Sequence, residues 1–175
     1  TRQQENGRVK VRLLICFITY QVLEVARAPF QVLVIPYLLI SPEPLYLILK
    51  RSDAAYWQPV AGGGEGGENS VEAAVRETAE EVGVKAAGHQ FVPIPPITFI
   101  SVYDCFGRLL WGPRVTVIPQ FFFSLESTTD TVTLSSEHTA YQWLPFDLAR
   151  PLLYWEDNRN ALTTLHRRLT GADKS

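Results

Sequence analysis

Cysteine is scarce: the chain carries two, Cys16 and Cys105, and neither belongs to a CxxC pair or sits among histidines at zinc-ligand spacing. A disulfide framework and a structural zinc site are thereby excluded, and two apolar thiols in a reduced, cytosolic protein fit the pattern. An excess of charge of one sign is also lacking. With a net charge of -2 and a pI near 5.9, the chain has no field that would draw it to nucleic acid or an anionic membrane, although small anions can still bind locally. No apolar run reaches the roughly 20 residues of a membrane span. The longest candidate, residues 11–25, is broken by Arg12, Gln21 and Glu24. Although Ala26 and Ala28 after it give a weak likeness to a leader cleavage site, it reads better as an extra strand or helix packed on the domain. Internal repeats and low-complexity linkers are absent as well.

What is present suffices for one domain with a full core: 175 residues, 46% of them hydrophobic, are too few for two typical domains. We assign residues 28–170 to that domain, 1–27 to an N-terminal extension and 171–175 to a tail. Residues 30–40, rich in β-branched and aromatic side chains, predict a buried strand in which Pro36 suggests an edge or a bulge. Pro42 and Pro44 mark a turn, and residues 45–50 the return strand of a hairpin. Five glycines crowd residues 61–67, which read as a loop. Glu68, Asn69 and Ser70 then suit a helix entry, and Ser70–Val82 follows as the helix. Val71, Ala74, Val75, Thr78 and Val82 form its core face, and Gly83 closes it. Further strands are expected at 98–103, 114–123 and 140–144, and a second helix at 156–169. Strands on both sides of a central helix, with another helix at the end, point to the α/β class with a mixed β-sheet sandwiched between helices.

On the first helix Glu77, Glu80 and Glu81 fall within an arc of roughly 100°, turned away from the valines. Like charges so close repel one another, and the helix C-terminus repels them further, so a cation is required to make the cluster favourable. Hard divalent ions suit carboxylate oxygens, Mg²⁺ first and Mn²⁺ as a substitute. An acidic helix face alone is usually a solvated surface. Here the glycine run, Glu68 and Arg76 accompany it, and glycines let backbone groups approach a metal or phosphate closely.

Counted from Gly62, the sequence reads glycine, five residues, Glu68, seven residues, Arg76, Glu77, Thr78, Ala79, Glu80, Glu81, Val82, Gly83, Val84. This spacing resembles the Nudix box. Every charged and glycine position matches, and the one departure is Thr78 where the family has an aliphatic residue; its methyl can pack and its hydroxyl can bond back along the helix. The resemblance implies the Nudix fold and hydrolysis of a diphosphate linkage. It further implies Glu77, Glu80 and Glu81 as metal ligands or, for one of them, the base, with Ala61 offering its carbonyl to a metal. Arg76 would hold Glu77 or Glu68 by an ion pair, Glu68 and Gly83 would serve the motif structurally, and Gly62 and Gly63 would approach the phosphates.

Because the base in this family often lies outside the box, residues 134–145 matter. They resemble a late segment of dihydroneopterin-triphosphate and dinucleoside-tetraphosphate members, which makes Glu137 the candidate for an additional ligand or base and His138 a candidate phosphate contact. Tyr141 and Trp143 read as strand core. Arg51 is the first choice among cations for the phosphates, ahead of Lys50 and Arg114, and Trp57 is expected to pack rather than stack on a base. Residues 56–68, 137–144 and 154–160 together resemble the dihydroneopterin-triphosphate and dATP pyrophosphohydrolase subgroup. That subgroup implies a nucleoside or pterin triphosphate substrate, pyrophosphate as a product, no nucleic-acid or membrane partner, and compatibility with a homodimer. A dinucleoside polyphosphate hydrolase is the alternative. An ADP-ribose hydrolase ranks third, since Pro93, Pro95 and Pro96 follow the box too closely, and a sensor that has lost catalysis conflicts with the intact glutamates.

Overall fold

The computed structural model describes residues 27–40, 43–104 and 111–172. Most of the expected N-terminal extension, both cysteines and Pro42 lie outside the described residues. The central strand is β1 (Arg27–Leu38), which pairs in parallel with β7 (Val117–Glu126) from Gln31↔Gln120 to Tyr37↔Glu126. Its other edge is shared between two antiparallel neighbours. β4 (Val60–Glu65) accompanies it up to Val34↔Val60, and β2 (Leu45–Arg51) takes over at Tyr37↔Tyr46. β2 in turn holds β3 (Trp57–Gln58) and β8 (His138–Pro145), while β7 carries β5 (Phe91–Pro93) and β6 (Thr98–Ser101). The result is a mixed sheet of eight strands.

Pro36 therefore sits in the innermost strand, not at an edge. On the side shared by β4 and β2, Ile35 and Pro36 fall in the gap between the two registers, where the ladder makes no claim on a backbone N–H.

Strand alternation sends the side chains of β1 to opposite faces. Val32 and Val34 join Leu47, Leu49 and Phe123 under α1 (Ser70–Val82), which contributes Ala73, Ala74 and Val82. Leu33, Ile35, Ile48 and Phe122 face α2 (Phe146–Leu152) and α3 (Glu156–Thr170), which contribute Ala149, Leu162 and Leu165. The expected helix–sheet–helix sandwich is the one observed. At roughly 1.5–3 kcal/mol for each fully buried large apolar side chain, these two layers are what fix the sheet.

Local features also explain the limits of α1. The Asn69 side chain accepts hydrogen bonds from the N–H groups of Val71 and Glu72, the Glu72 carboxylate accepts from the Asn69 N–H, and Gly83 at φ 72° ends the helix. The buried stripe differs from the expected one: it is Ala73, Ala74, Glu77, Thr78, Glu81 and Val82, with Val71 and Val75 only partly covered. Thr78 is fully buried and its hydroxyl donates to the Ala74 carbonyl at 2.7 Å, so its departure from the box pattern is absorbed inside the helix.

Four other expectations need correction. The strand expected at 114–123 begins at Val117, leaving Arg114 in an exposed turn, and the one at 98–103 stops at Ser101 before a short helical turn. Tyr141 is 39% exposed and not core, whereas Trp143 packs at the margin of the α1 layer and donates its indole N–H to the Asp130 carbonyl. The glycine run is not a loop, since residues 60–65 form β4. Its glycines are demanded by close packing: a Cβ on Gly62 would overlap the Glu77 carboxylate, and one on Gly64 the Phe30 ring. Gly64→Ala is accordingly expected to cost about 1–3 kcal/mol, read as a lower urea midpoint with an unchanged m-value.

Candidate functional site

β4 and α1 face each other, and the contact between them is polar. Glu77 and Glu81, expected to project outward, are instead turned under β4, with only 8% and 3% of their surfaces exposed; Glu80 alone points to solvent. Helical geometry places residues 73, 77 and 81 in one i,i+4 row, so the row that begins with core alanine continues as carboxylates. The missing side chain of Gly62 makes the space that Glu77 fills.

Arg76 neutralises much of this charge. Its Nε and Nη2 donate to the two Glu68 oxygens at 2.8 and 3.0 Å, and its Nη1 to Glu77 at 2.8 Å and Glu80 at 3.1 Å. Nη2 also donates to the Gly63 carbonyl at 2.8 Å, tying α1 to β4. Both expected partners, Glu68 and Glu77, are therefore engaged at once. The forked guanidinium is suited to such a hub, where lysine would offer a single point charge. Hydrogen bonding from Arg76 holds the Glu68 carboxyl below its ordinary value.

The buried pair behaves in the opposite way. Burial pushes the Glu77 carboxyl up to about 7, against the pull of Arg76, with Glu81 and Glu80 adding repulsion. Glu81 is raised chiefly by burial too, although its Oε2 accepts the Ala61 N–H at 3.1 Å and lies 3.3 Å from His138 Nε2. The His138 side chain is completely buried and neither ring nitrogen makes a hydrogen bond among the described residues. It stands against Glu81 and is not among the residues that line the cleft beside β4.

A cleft of about 710 Å³ opens beside β4, and Ala61, Gly62, Gly63, Arg51 and Glu137 all line it. Arg51 is 14% exposed and gripped by Asp53 at 2.6 and 2.8 Å, with Glu137 at 3.3 Å. These bonds raise the Arg51 guanidinium and lower the Asp53 carboxyl. The β2–β8 pairing, Arg51↔His138, is what brings the start of β8 to the end of β2. Lys50 and Arg114 do not line the cleft. Trp57 packs into the α2/α3 layer, as expected. Arg27 lines the cleft and nears Gly63, a cation that sequence patterning gave no means of singling out.

The donors around α1 and β4 are carboxylate and carbonyl oxygens, the chemistry of a hard divalent cation. Two of them are buried carboxylates whose charge burial opposes, and an added cation would relieve that. Among the described residues no three acidic, histidine or cysteine side chains yet converge on one point, and Arg76 holds Glu77 and Glu80 to itself. The donor set has the chemistry of such an ion, and Glu80, paired with Arg76 at 3.1 Å, is the exposed member of the set.

The NUDIX domain family model matches residues 34–165. The dihydroneopterin triphosphate diphosphatase of Escherichia coli (strain K12) is 30% identical over 141 residues, covering 79% of this chain and 93% of that protein. The asymmetrical bis(5'-nucleosyl)-tetraphosphatase of Rattus norvegicus is 30% identical over 126 residues, covering 70% of this chain and 78% of the relative. Among solved structures, the E. coli dihydroneopterin triphosphate pyrophosphohydrolase superposes with a TM-score of 0.67 at 28% identity, covering 83% of this chain and 99% of that one. None of the helices among the described residues is long and apolar enough to cross a membrane.

Proposed function

The chain belongs to the NUDIX family, and we infer that it is a hydrolase of phosphoric anhydrides, cleaving a nucleoside or pterin triphosphate to monophosphate and pyrophosphate within a catalytic domain spanning residues 28–170. The observation that carries this reading is the buried Glu77–Glu81 pair packed beneath the glycine strand, whose Ala61, Gly62 and Gly63 line a cleft together with Arg51 and Glu137. Glu77, Glu80, Glu81, Glu137 and the Ala61 carbonyl would hold Mg²⁺, or Mn²⁺ in its place. Such a cation supplies Lewis-acid neutralisation of the anhydride oxygens when bound.

The remaining roles belong to the chain. The backbone of Gly62 and Gly63 lines the cleft where the phosphates would lie, with Glu77 filling the Cβ-free side of Gly62 and the Arg27 guanidinium beside Gly63. Arg51 meets a phosphate oxygen with the donors that Asp53 and Glu137 leave free. As water adds to phosphorus and the bridging P–O bond breaks toward pyrophosphate, Glu80 or Glu137 accepts the water's proton on a carboxylate oxygen. Arg76 keeps Glu77 and Glu68 in place and does not touch substrate, and His138 positions Glu81 from behind.

A panel of triphosphates with Mg²⁺ tests the reading. Pyrophosphate release from dihydroneopterin triphosphate or dATP is the expected result, and tight nucleotide binding without turnover would point to a sensor instead. The likeness to a tetraphosphatase favours a second reading, a dinucleoside polyphosphate hydrolase. Faster turnover of a dinucleoside tetraphosphate than of any triphosphate would establish it.

A further inference from the structure

Among the described residues that line the cleft, Arg27 and Arg51 are outnumbered by aspartates and glutamates. A carboxylate in such a place works against an anionic ligand. Asp53 does so from the least favourable position, directly on Arg51, the cation that meets a phosphate oxygen in the reading above. Its two oxygens accept from Nε at 2.8 Å and from Nη2 at 2.6 Å. Charge gives no reason for it, and geometry does.

The turn between β2 and β3 is built around this contact. The Arg51 N–H donates to the Tyr56 carbonyl at 3.1 Å and closes the turn, while the Ser52 N–H donates to the Glu137 carbonyl at 2.8 Å and pins it to the residue before β8. Asp53 is thereby carried on a turn tied down on both sides. Its side chain is 47% exposed, whereas that of Arg51 is only 14% exposed. A pair of two solvated side chains would contribute little. Here, however, the carboxylate occupies the side edge of a largely covered guanidinium, and Glu137 reaches only Nη1, with a longer contact of 3.3 Å. The end of the fork, where Nη1 and Nη2 lie side by side, keeps N–H groups for a phosphate. Because the guanidinium is planar, holding its side edge fixes the direction of that end.

We propose that Asp53 is a positioning residue: by holding the side edge of the Arg51 guanidinium it aims the end of the fork into the cleft, where a phosphate meets a donor already ordered. It rests on the anhydride-hydrolase reading for the identity of that phosphate. An arginine side chain loses rotamer freedom when a ligand fixes it, and a partner that fixes it beforehand takes that cost out of the binding step. Positioning and charge make opposite predictions. Acting by charge alone, Asp53 would weaken an anionic ligand, so its removal would tighten binding; acting through Arg51, it strengthens the ligand's hold, so its removal weakens binding.

Steady-state kinetics of the full chain with dATP and dihydroneopterin triphosphate in Mg²⁺ are compared for the parent, Asp53→Asn, Arg51→Ala and the double variant. Asparagine keeps the size of Asp53 but loses the charge and one of the two acceptors. KM is expected to rise about 3- to 10-fold in Asp53→Asn, with kcat within about twofold of the parent. In the Arg51→Ala background the same substitution is expected to move KM by less than about twofold, because Asp53 acts through Arg51. A KM that falls or stays put in Asp53→Asn, a loss carried by kcat, or losses that multiply in the double variant, as a purely structural role in the turn would make them, would overturn the proposal. If Arg51→Ala does not fold, Arg51→Lys, which keeps a charge but has no side edge, takes its place in the cycle. Should the parent turn over neither triphosphate, the hydrolase reading fails on its own, and the cycle is read by calorimetric titration with pyrophosphate in Mg²⁺. Weaker binding in Asp53→Asn, with no such difference in the Arg51→Ala background, upholds the positioning; unchanged or tighter binding, or none by the parent, overturns it.

Discussion

Glu81→Gln is expected to reduce kcat by a factor on the order of 10²–10⁴ while leaving the fold and its unfolding midpoint nearly unchanged. The carboxylate accepts the Ala61 N–H and stands 3.3 Å from His138, and glutamine keeps the size and one acceptor oxygen for that bond. What it removes is the charge. Since burial already opposes that charge, its loss carries little penalty in the cation-free protein and can even raise the unfolding temperature. Pyrophosphate release and a thermal melt on the same preparation check both halves. A variant that keeps full turnover would show that Glu81 is not a ligand.

The second large effect concerns pH. The Glu77 carboxyl is raised from 4.5 to about 7 in the folded chain, so between those values the folded state holds a proton that the unfolded state releases. Stability from this group is fully present below pH 4.5 and is lost as pH rises through about 7, a change of about 3 kcal/mol. Glu81 shifts in the same direction. Glu68 acts oppositely: its depressed carboxyl supplies stability above pH 4.5 that disappears as pH falls through its folded value. The cation-free protein is therefore expected to be most stable in mildly acidic buffer and to weaken toward pH 8, where millimolar Mg²⁺ restores it by binding the folded state alone. Urea unfolding across pH, in chelator and in Mg²⁺, measures this, and Glu77→Gln should flatten the alkaline limb. A limb that persists in Glu77→Gln would assign the effect to another group.

How far the site could be read from sequence depended on the kind of signal. The ends of α1 were legible because Asn69, Glu72 and Gly83 act through their own local chemistry. The spacing of Glu68, Arg76, Glu77, Glu80 and Glu81 was legible as a pattern, but the depth of Glu77 and Glu81 was not. A carboxylate is ordinarily assigned to solvent, and only the adjacency of a strand that lacks a side chain at Gly62 and offers the Ala61 N–H gives Glu77 and Glu81 a place beneath it. The same glycines disguised β4, since strand propensity rests on side chains they lack. β3 and β5, two and three residues long, are too short to show a period, and α2 carries Pro151 within its seven residues. Asn158, which is buried in α3 and lines the cleft, was invisible for a different reason: a polar residue in a helical pattern reads as surface until its neighbours across the sheet are known.

The pairing of β1 with β7 joins residues about ninety positions apart, Gln31 with Gln120. β4 finds its sheet partner only in β1, and the cleft is closed by Glu137 from the threshold of β8 and Asn158 from α3. During synthesis, then, the acidic helix emerges long before the cleft it serves. Contacts this distant in sequence form late and set the pace of folding. A nascent chain that stops before α3 can display the whole Glu68–Gly83 motif and still lack one wall of the cleft, so activity is expected to arrive all at once, when α3 has emerged.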